Sequence, residues 1–418
     1  MREVRKTNCH FCGYLCAFFA TVEGGRVVDL EPDPSRYPYD PKILAGCRRW
    51  KMNLDVLDGA DRVNYPIRRV GERGANKWER VSWDEALDDI AARLRALADE
   101  HGPETLASMI GGPHASFWPL HRFMNQFGSP NNMGIGQICW NPRIWMDAIT
   151  FGWTIEADIN EETECVFIWG TNPAESDNSS WWQAVRNIGK SATPLVVIDP
   201  RHTRTASCAD LWIAPKTGTD CALALGFLNV IIEEGLYDRD FVEEWCHGFD
   251  ELAEHVKKYT PDYVADFCGV PADDVRRAAR LFGQARAAAL VSGRGIDQSG
   301  SNVAPTHRAI CCLRAVTGNI DKPGACIMTE MSDFTTEIEL EMAGTLAPEH
   351  EARCLNTPYT PLQCYDGYKK IRAITERLGC ALPMRYMTSA HPDLVLRAME
   401  TGEPYPVLAL IVNATNPL

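Results

Sequence analysis

Four cysteines near the start of the chain have the spacing of a metal centre. Cys9, Cys12 and Cys16 form the pattern C-x2-C-x3-C in CHFCGYLC, and Cys47 follows in AGCRRW. Three closely spaced thiolates on a turning loop can hold three corners of an iron–sulfur cube, and a remote fourth cysteine closes it. A structural zinc site is the main alternative, although zinc sites usually take their cysteines in two pairs. The spacing therefore favours a 4Fe–4S cluster over zinc, and over inert buried thiols.

Polar loops that follow predicted strands contain candidate ligand-binding residues. GTNPAESD follows the apolar run Cys165–Trp169, and DPRHTRTA follows the run Leu195–Ile198. In a parallel α/β sheet, ligands bind beyond the carboxyl ends of the strands. Asp199 is placed to accept hydrogen bonds from a ribose diol. Asp220 opens a predicted helix in KTGTDCALALGF, where its carboxylate could read a guanine edge or simply complement the helix dipole.

A third loop of this kind makes nucleotide binding the better interpretation of the set. SGRGIDQSG follows the predicted strand Ala288–Ser292 and is rich in glycine, although alone it is a weak signal. No GxGxxG motif occurs in the chain. An ordinary nicotinamide site is therefore not supported.

The elements that must position these residues are predicted by local patterns. From about 164 to 325, short apolar runs alternate with amphipathic stretches, which is typical of a doubly wound parallel sheet. Upstream, Ser82 and Glu85 form a capping box at the start of a helix that Gly102-Pro103 ends. The apolar positions on one face of that helix are Leu87, Ile90, Leu94 and Leu97.

The bulk composition limits the class of protein. The chain has 418 residues, a formal net charge of −14 and 16 cysteines. The negative charge argues against a nucleic-acid partner, because no basic stripe is available to displace counterions. No apolar run is long enough to cross a bilayer, and no secretory signal is visible, so the sequence predicts a cytoplasmic protein without direct membrane insertion.

The motifs taken together resemble the molybdopterin-guanine-dinucleotide oxidoreductases, the dimethyl sulfoxide reductase superfamily. The resemblance covers essentially the whole chain. It rests on the cysteine pattern and on RFMNQFGSPN, WGTNPAESD, IDPRHTRTASCADLW, GTDCALALG and TGNIDKPGA, in this order and spacing. It implies an α/β fold with an iron–sulfur module at 1–58 and a first pterin-dinucleotide domain at 139–330. The segments 59–138 and 331–418 would belong to a second, related α/β domain.

The resemblance also implies the cofactors and the residues that bind them. A 4Fe–4S cluster would be held by Cys9, Cys12, Cys16 and Cys47. Molybdenum or tungsten would be held by two pterin dinucleotides, and Cys139 in GQICWNPR is the implied protein ligand, with a buried structural cysteine as the alternative. The implied cofactor-binding residues are Arg49, Trp169, Gly170, Asn172, Asp199, Arg201, Gly218, Thr219, Asp220 and Asn416.

Three departures from the family pattern bear on the substrate. Arg49 stands where a lysine often lies between cluster and pterin, and Trp140 stands where formate dehydrogenases have a histidine after the metal ligand. The overall likeness is greatest to the acetylene hydratase branch, yet Gly13 replaces the aspartate that could act as its general acid. The sequence therefore favours a redox reaction on a small organic substrate. A non-redox hydratase and an inactive, partial subunit are the alternatives.

A phrase that occurs twice suggests that the chain is incomplete. VFIWGTNPA at 166–174 and LIVNATNPL at 410–418 each combine an apolar run with Thr-Asn-Pro. The resemblance implies that the second of these motifs begins a second dinucleotide-binding site, and that a C-terminal barrel-like domain would normally follow. We therefore expect a fragment, or the larger half of a split enzyme. The expected partners are an electron-transfer protein or a subunit that completes the site.

Overall fold

The computed structural model describes most of the chain. The described residues are 2–11, 16–36, 47–111, 117–134, 139, 141–152, 154–176, 180–188, 192–298, 300, 302–328, 340–356 and 390–416. The strands are β1 Arg2–Asn8, β2 Ala17–Glu23, β3 Arg26–Pro32, β4 Ile67–Arg69, β5 Trp78–Arg80, β6 Leu106–Ile110, β7 Asn132–Gly134, β8 Ile155–Ala157, β9 Cys165–Trp169, β10 Leu195–Ile198, β11 Leu211–Ile213, β12 Ala288–Ser292, β13 Cys326–Met328 and β14 Ala409–Asn413.

The helices lie between these strands. They are α1 Arg48–Lys51, α2 Asn53–Leu57, α3 Trp83–His101, α4 Phe117–Phe127, α5 Asn141–Phe151, α6 Pro173–Ser176, α7 Ser180–Ile188, α8 Asp220–Glu233, α9 Arg239–Trp245, α10 Phe249–Val256, α11 Pro261–Cys268, α12 Ala272–Gln284, α13 Arg294–Asp297, α14 Val303–Val316, α15 Pro348–Glu351 and α16 Pro392–Thr401.

The first parallel sheet has the order β11-β10-β9-β12. Alternate residues of β9 enter two different cores: Phe167 and Trp169 pack with helix α8, whereas Val166 and Ile168 pack with Trp182 of α7. Helices therefore cover both faces of the sheet, as a doubly wound fold requires. The fold class and the three predicted strands β9, β10 and β12 are confirmed.

A second parallel sheet joins distant parts of the chain in the order β14-β6-β7, with Ala409 opposite Leu106. The apolar run that was predicted to be a buried strand is the edge strand β14. Ala409 and Ile411 pack towards Leu106, whereas Leu410 and Val412 are 36% and 43% exposed. The strand is confirmed, but of its two faces the one formed by Ala409 and Ile411 is the better buried.

Helix α3 has the predicted capping box. The amide of Glu85 donates to the Ser82 hydroxyl at 3.1 Å, and the Ser82 amide donates to the Glu85 carboxylate at 2.8 Å. Its predicted apolar face is only partly buried: Leu94 packs beside the second sheet, but Leu87 and Ile90 are 57% and 52% exposed. The spacing of apolar residues gives the face, but the partner of that face depends on tertiary structure.

Smaller elements complete the described chain. β1, β2 and β3 form an antiparallel sheet, and β4 pairs with β5 and β8 with β13. Among the helices of the described residues, none is long and apolar enough to cross a membrane. The division into four segments at 58, 138 and 330 stays a prediction.

Candidate functional site

The polar loops predicted from the sequence meet at the carboxyl edge of the first sheet. The Gly170 amide donates to the Ile198 carbonyl at 2.9 Å, and the Gly293 amide donates to the Trp169 carbonyl at 2.8 Å. These bonds hold the residues that follow β9, β10 and β12 side by side. The edge is therefore the place where the fold would receive a ligand.

Three glycines allow two of these loops to touch. A Cβ on Gly293 would lie 2.2 Å from the Thr171 Cβ and 2.6 Å from the Gly170 carbonyl oxygen, and one on Gly295 would lie 2.8 Å from the same oxygen. Gly170 itself has φ +64°, which a residue without a side chain adopts at little cost. The glycine-rich SGRGIDQSG segment thus has a packing role beside the residues predicted to bind the dinucleotide.

Trp169 and Asp220 are brought into direct contact. The indole Nε1 of Trp169, which is fully buried, donates to Asp220 Oδ1 at 2.8 Å. Burial raises the pKa of the Asp220 carboxyl, and the negative charge of Asp199 raises it further. The hydrogen bond from the indole lowers this pKa, but burial outweighs it. Asp220 is therefore part of a polar contact across the sheet edge, in addition to starting helix α8.

The residues before helix α8 are oriented by backbone contacts. Gly218 has φ +85°, and its carbonyl accepts a hydrogen bond from Asn302 Nδ2 at 3.1 Å. The Thr219 hydroxyl donates to the Lys216 carbonyl at 2.7 Å and makes no capping bond to the helix. The helix start therefore lacks a side-chain cap, which is compatible with a ligand acceptor in that position.

Two buried donors at this edge lack partners among the described residues. Asn172 Oδ1 accepts a hydrogen bond from the Thr205 hydroxyl at 2.7 Å. Asn172 Nδ2, however, is buried and has no hydrogen-bond partner. The hydroxyl of Ser292, at the end of β12, is also buried and has no hydrogen-bond partner. An orphaned buried donor is costly unless a ligand or water satisfies it. Both atoms fit a ligand rich in acceptor oxygens or nitrogens, such as a pterin nucleotide.

Asp199 and Arg201 occupy the rim of the edge. The Arg201 amide donates to Asp199 Oδ1 at 2.9 Å, and Trp212 Nε1 donates to the Asp199 carbonyl. Burial raises the pKa of the Asp199 carboxyl, with the Arg201 contacts opposing it. The Arg201 side chain is 73% exposed and lies 3.8 Å from Glu175. Its charge is therefore available to a ligand at the surface.

The described part of the cysteine module places three of the four cysteines in one apolar cluster. The Cys9 amide donates to the Cys16 carbonyl at 2.8 Å, both side chains are buried, and Cys47 packs against them beside Trp50. Cys47 directly precedes α1, which carries Arg49. Cys12 and Gly13 lie outside the described residues. Within the described ranges, no three His, Cys, Asp or Glu side chains form a group that could hold a metal ion.

Cys139 is half-buried and lies two residues before helix α5, and Trp140 is outside the described residues. Helix α5 packs against α14 and contributes Arg143 and Asp147 to buried ion pairs. No signal in the sequence distinguished these two residues from surface charges. Ser292 and Thr205 were also missed, because a hydroxyl at the end of a strand is common.

Asn416 follows the second sheet as Asn172 follows the first. It is exposed and lies three residues after the end of β14. The Gly111 amide donates to the Asn413 carbonyl at 2.9 Å, as Gly170 does to Ile198 across β9 and β10. Both Thr-Asn sequences therefore follow a parallel strand.

Similar proteins carry the same architecture. A model of the molybdopterin oxidoreductase family matches residues 62–338. The chain is 32% identical to acetylene hydratase of Syntrophotalea acetylenica, covering 100% of this chain and 58% of that protein. It is 34% identical to formate dehydrogenase H of Escherichia coli, covering 76% and 45%. The solved structure of acetylene hydratase from Pelobacter acetylenicus superposes with a TM-score of 0.88, at 32% identity, over 99% of this chain and 57% of that one. The chain thus spans about half the length of these relatives.

Proposed function

Because the chain belongs to the molybdopterin oxidoreductase family, we propose that it binds molybdenum or tungsten through two molybdopterin guanine dinucleotides and acts on a small organic substrate. When bound, this cofactor supplies two-electron or oxygen-atom transfer chemistry. The observation that carries the proposal is the pair of buried, unpartnered donors at the carboxyl edge, Asn172 Nδ2 and Ser292 Oγ. Asn172 is one of the residues that the resemblance assigns to one dinucleotide, and Ser292 ends the neighbouring strand β12.

The chain's own residues bind and orient this cofactor in our proposal. Asn172 and Ser292 donate to it, and Asp199 and Asp220 accept from the ribose and guanine. Arg201 at the rim neutralises phosphate charge. In the second sheet, Asn416 would make the corresponding contact with the other dinucleotide. Cys139 is the protein ligand of the metal, because a soft thiolate suits both molybdenum and tungsten.

The iron–sulfur cluster belongs to the same proposal. Cys9, Cys12, Cys16 and Cys47 would hold a 4Fe–4S cluster, which the packing of the described three in one cluster beside Trp50 supports. Arg49 would lie between cluster and pterin, where its fixed positive charge can donate to pterin acceptors. All described cysteines are free thiols, and this supports a reducing, cytoplasmic compartment. An electron-transfer protein or a subunit supplying the rest of the second domain would be the partner.

A non-redox hydratase is the second candidate, favoured by the likeness to acetylene hydratase along the whole chain. Gly13 has no side chain to donate a proton, so a reaction that needs an acid at that position is disfavoured. Assays of turnover with and without an artificial electron donor or acceptor separate the two. Product formed at the same rate without any donor or acceptor would reject the redox function and support hydration.

Metal analysis with electron paramagnetic resonance on anaerobically purified protein tests the central proposal. We expect molybdenum or tungsten, four irons per chain and two pterins per metal. The variant C139A should lose the protein thiolate from the metal, whereas C208A, at an exposed cysteine that is not among the predicted ligands, should match the wild type. Zinc without iron would contradict the cluster, and fewer than two pterins per metal would identify a partial subunit.

A further inference from the structure

Helix α5, which begins two residues after Cys139, is held by two ion pairs whose arginine side chains are both buried. In its first turn, the Arg143 guanidinium donates two hydrogen bonds to the Glu156 carboxylate of β8, at 2.6 and 3.2 Å. The Arg143 side chain is only 5% exposed. A bidentate arginine–carboxylate pair fixes the orientation of both groups as well as their distance.

The second ion pair lies one turn further along α5. Asp147 is 3.4 Å from Arg314 of helix α14, and both side chains are 1% exposed. The second terminal nitrogen of Arg314 donates to the Leu290 carbonyl of β12 at 3.0 Å. A single buried guanidinium therefore ties α5 to the strand that ends in Ser292 at the candidate site.

Buried ion pairs of this kind fix the relative orientation of the elements they join more than they stabilise the fold. Removing both ions from water costs free energy that their attraction only partly repays, and an apolar pair of the same volume is often as stable. An apolar pair could not, however, fix the direction of α5 relative to β8 and β12 at once. The planar fork of arginine has donors in two directions, and Arg314 uses them on two different elements.

We propose that the Arg143–Glu156 and Asp147–Arg314 pairs are a positioning device that sets the Cys139 thiol against the carboxyl edge of the first sheet. This inference rests on the proposed function of Cys139 as a metal ligand. Arg143, Asp147 and Arg314 are positioning residues and touch neither metal nor substrate. The device explains why a helix packed in the core carries charges that its packing does not require.

The first test measures alkylation of Cys139 by iodoacetamide, mapped by mass spectrometry of the full chain as purified. In R314M, we expect Cys139 to react several-fold faster than in the wild type, because α5 loses its tie to β12. The exposed Cys208 is an internal reference that should not change. The direction is the same whether or not metal is bound, since a thiol released from a metal also reacts faster.

Matched variants separate positioning from simple loss of stability. L228A removes a fully buried leucine of α8 and should lower the melting temperature without accelerating Cys139. R280M breaks the bidentate pair with Glu234 on the surface and should change neither quantity. The double variant D147L/R314M should regain most of the melting temperature lost in R314M but keep the fast reaction of Cys139. If R314M reacts at the wild-type rate, or if the double variant restores the slow rate, the positioning role is wrong.

A second readout uses the metal centre. R314K keeps the charge but cannot donate to Asp147 and Leu290 from one rigid plane. We expect R314K to shift the paramagnetic signal of the metal and leave that of the iron–sulfur cluster unchanged. A wild-type chain without molybdenum or tungsten would reject the proposed function, yet the alkylation result would still decide the positioning role. Metal present with wild-type signals in both R314M and R314K would overturn the positioning role alone.

Discussion

At the scale of single residues, the Trp169–Asp220 contact shows how the edge of the sheet keeps a carboxylate ready for a ligand. The carboxylate accepts a bond from a buried indole and is partly shielded from water. A partly buried carboxylate is stabilised when a hydrogen-bond donor of a ligand replaces the water that it has lost. The burial of this charge, and not the indole bond, therefore costs stability in the free chain.

The pH dependence of stability tests this interpretation through D220N. Because the pKa of Asp220 is higher in the folded chain than in the unfolded chain, the folded state loses stability as pH rises through that pKa. The asparagine can still accept the indole bond without a charge. We expect D220N to melt at a higher temperature than the wild type at pH 7, and the difference to vanish as pH falls towards 4. A constant difference at all pH values would contradict the assignment.

The contact between the loops after β9 and β12 makes a steric prediction. In G293A the new methyl group would overlap the backbone of Gly170, which cannot move like the end of a side chain. We expect an overpacking cost of about 1–3 kcal/mol in the free energy of unfolding. Denaturation by urea measures it. The control is G344A, where no atom lies within 4 Å of the added Cβ, and its cost should be near zero.

Some residues of the candidate site could be predicted from their sequence neighbours, and others could not. Asn172, Asp199 and Asp220 were predictable because each stands directly after a strand or at the start of a helix. Ser292 and Arg143 were not, since their roles depend on which element lies opposite. The sequence does not show that the Ser292 hydroxyl has no hydrogen-bond partner. Nor does it show that Arg143 pairs with Glu156.

At the scale of elements, helix α3 separates what local chemistry decides from what packing decides. Its start and end were predicted because Ser82, Glu85 and Gly102 act on the backbone within one turn. The extent to which its apolar face is covered was not predictable, since coverage is set by residues far along the chain. The helix begins where expected, and two of the four apolar residues on its predicted face, Leu87 and Ile90, are exposed.

The start of α3 makes a prediction of its own. S82A removes the hydroxyl that accepts the Glu85 amide, and loss of such a cap costs about 0.5–2 kcal/mol. The comparison variant S82T keeps an acceptor and should retain most of the stability. Urea denaturation of both proteins measures the difference. Equal losses in S82A and S82T would show that the cap contributes nothing.

The face of α3 makes the second prediction at this scale. L87Q and I90Q change side chains that are already more than half exposed, so each should alter the free energy of unfolding by less than about 0.5 kcal/mol. L94Q places an amide beside the second sheet and should cost more than about 1 kcal/mol. Binding of a fluorescent hydrophobic dye should fall in L87Q and I90Q. Unchanged dye binding would show that this face is not the exposed apolar surface.

At the scale of the whole molecule, the first sheet was predictable and the second was not. Strands and helices alternate along the chain from 164 to 325. The consecutive strands β9, β10 and β11 are neighbours in the sheet, and β12 returns to the other side of β9. The second sheet joins β6 to β14, which no local pattern can pair. The repeated Thr-Asn-Pro phrase suggested that the two sheets are related, but their registers required the structure.

The pairing of Leu106 with Ala409 also sets an order of events during synthesis. Strand β6 leaves the ribosome about 300 residues before β14 is made, which is roughly 15 to 60 s at ordinary rates of translation. The first sheet is complete within that interval. In the nascent chain, the edge of β6 that later pairs with β14 is therefore unpaired at a time when all four strands of the first sheet have been synthesised. Such an edge can pair with strands of other chains.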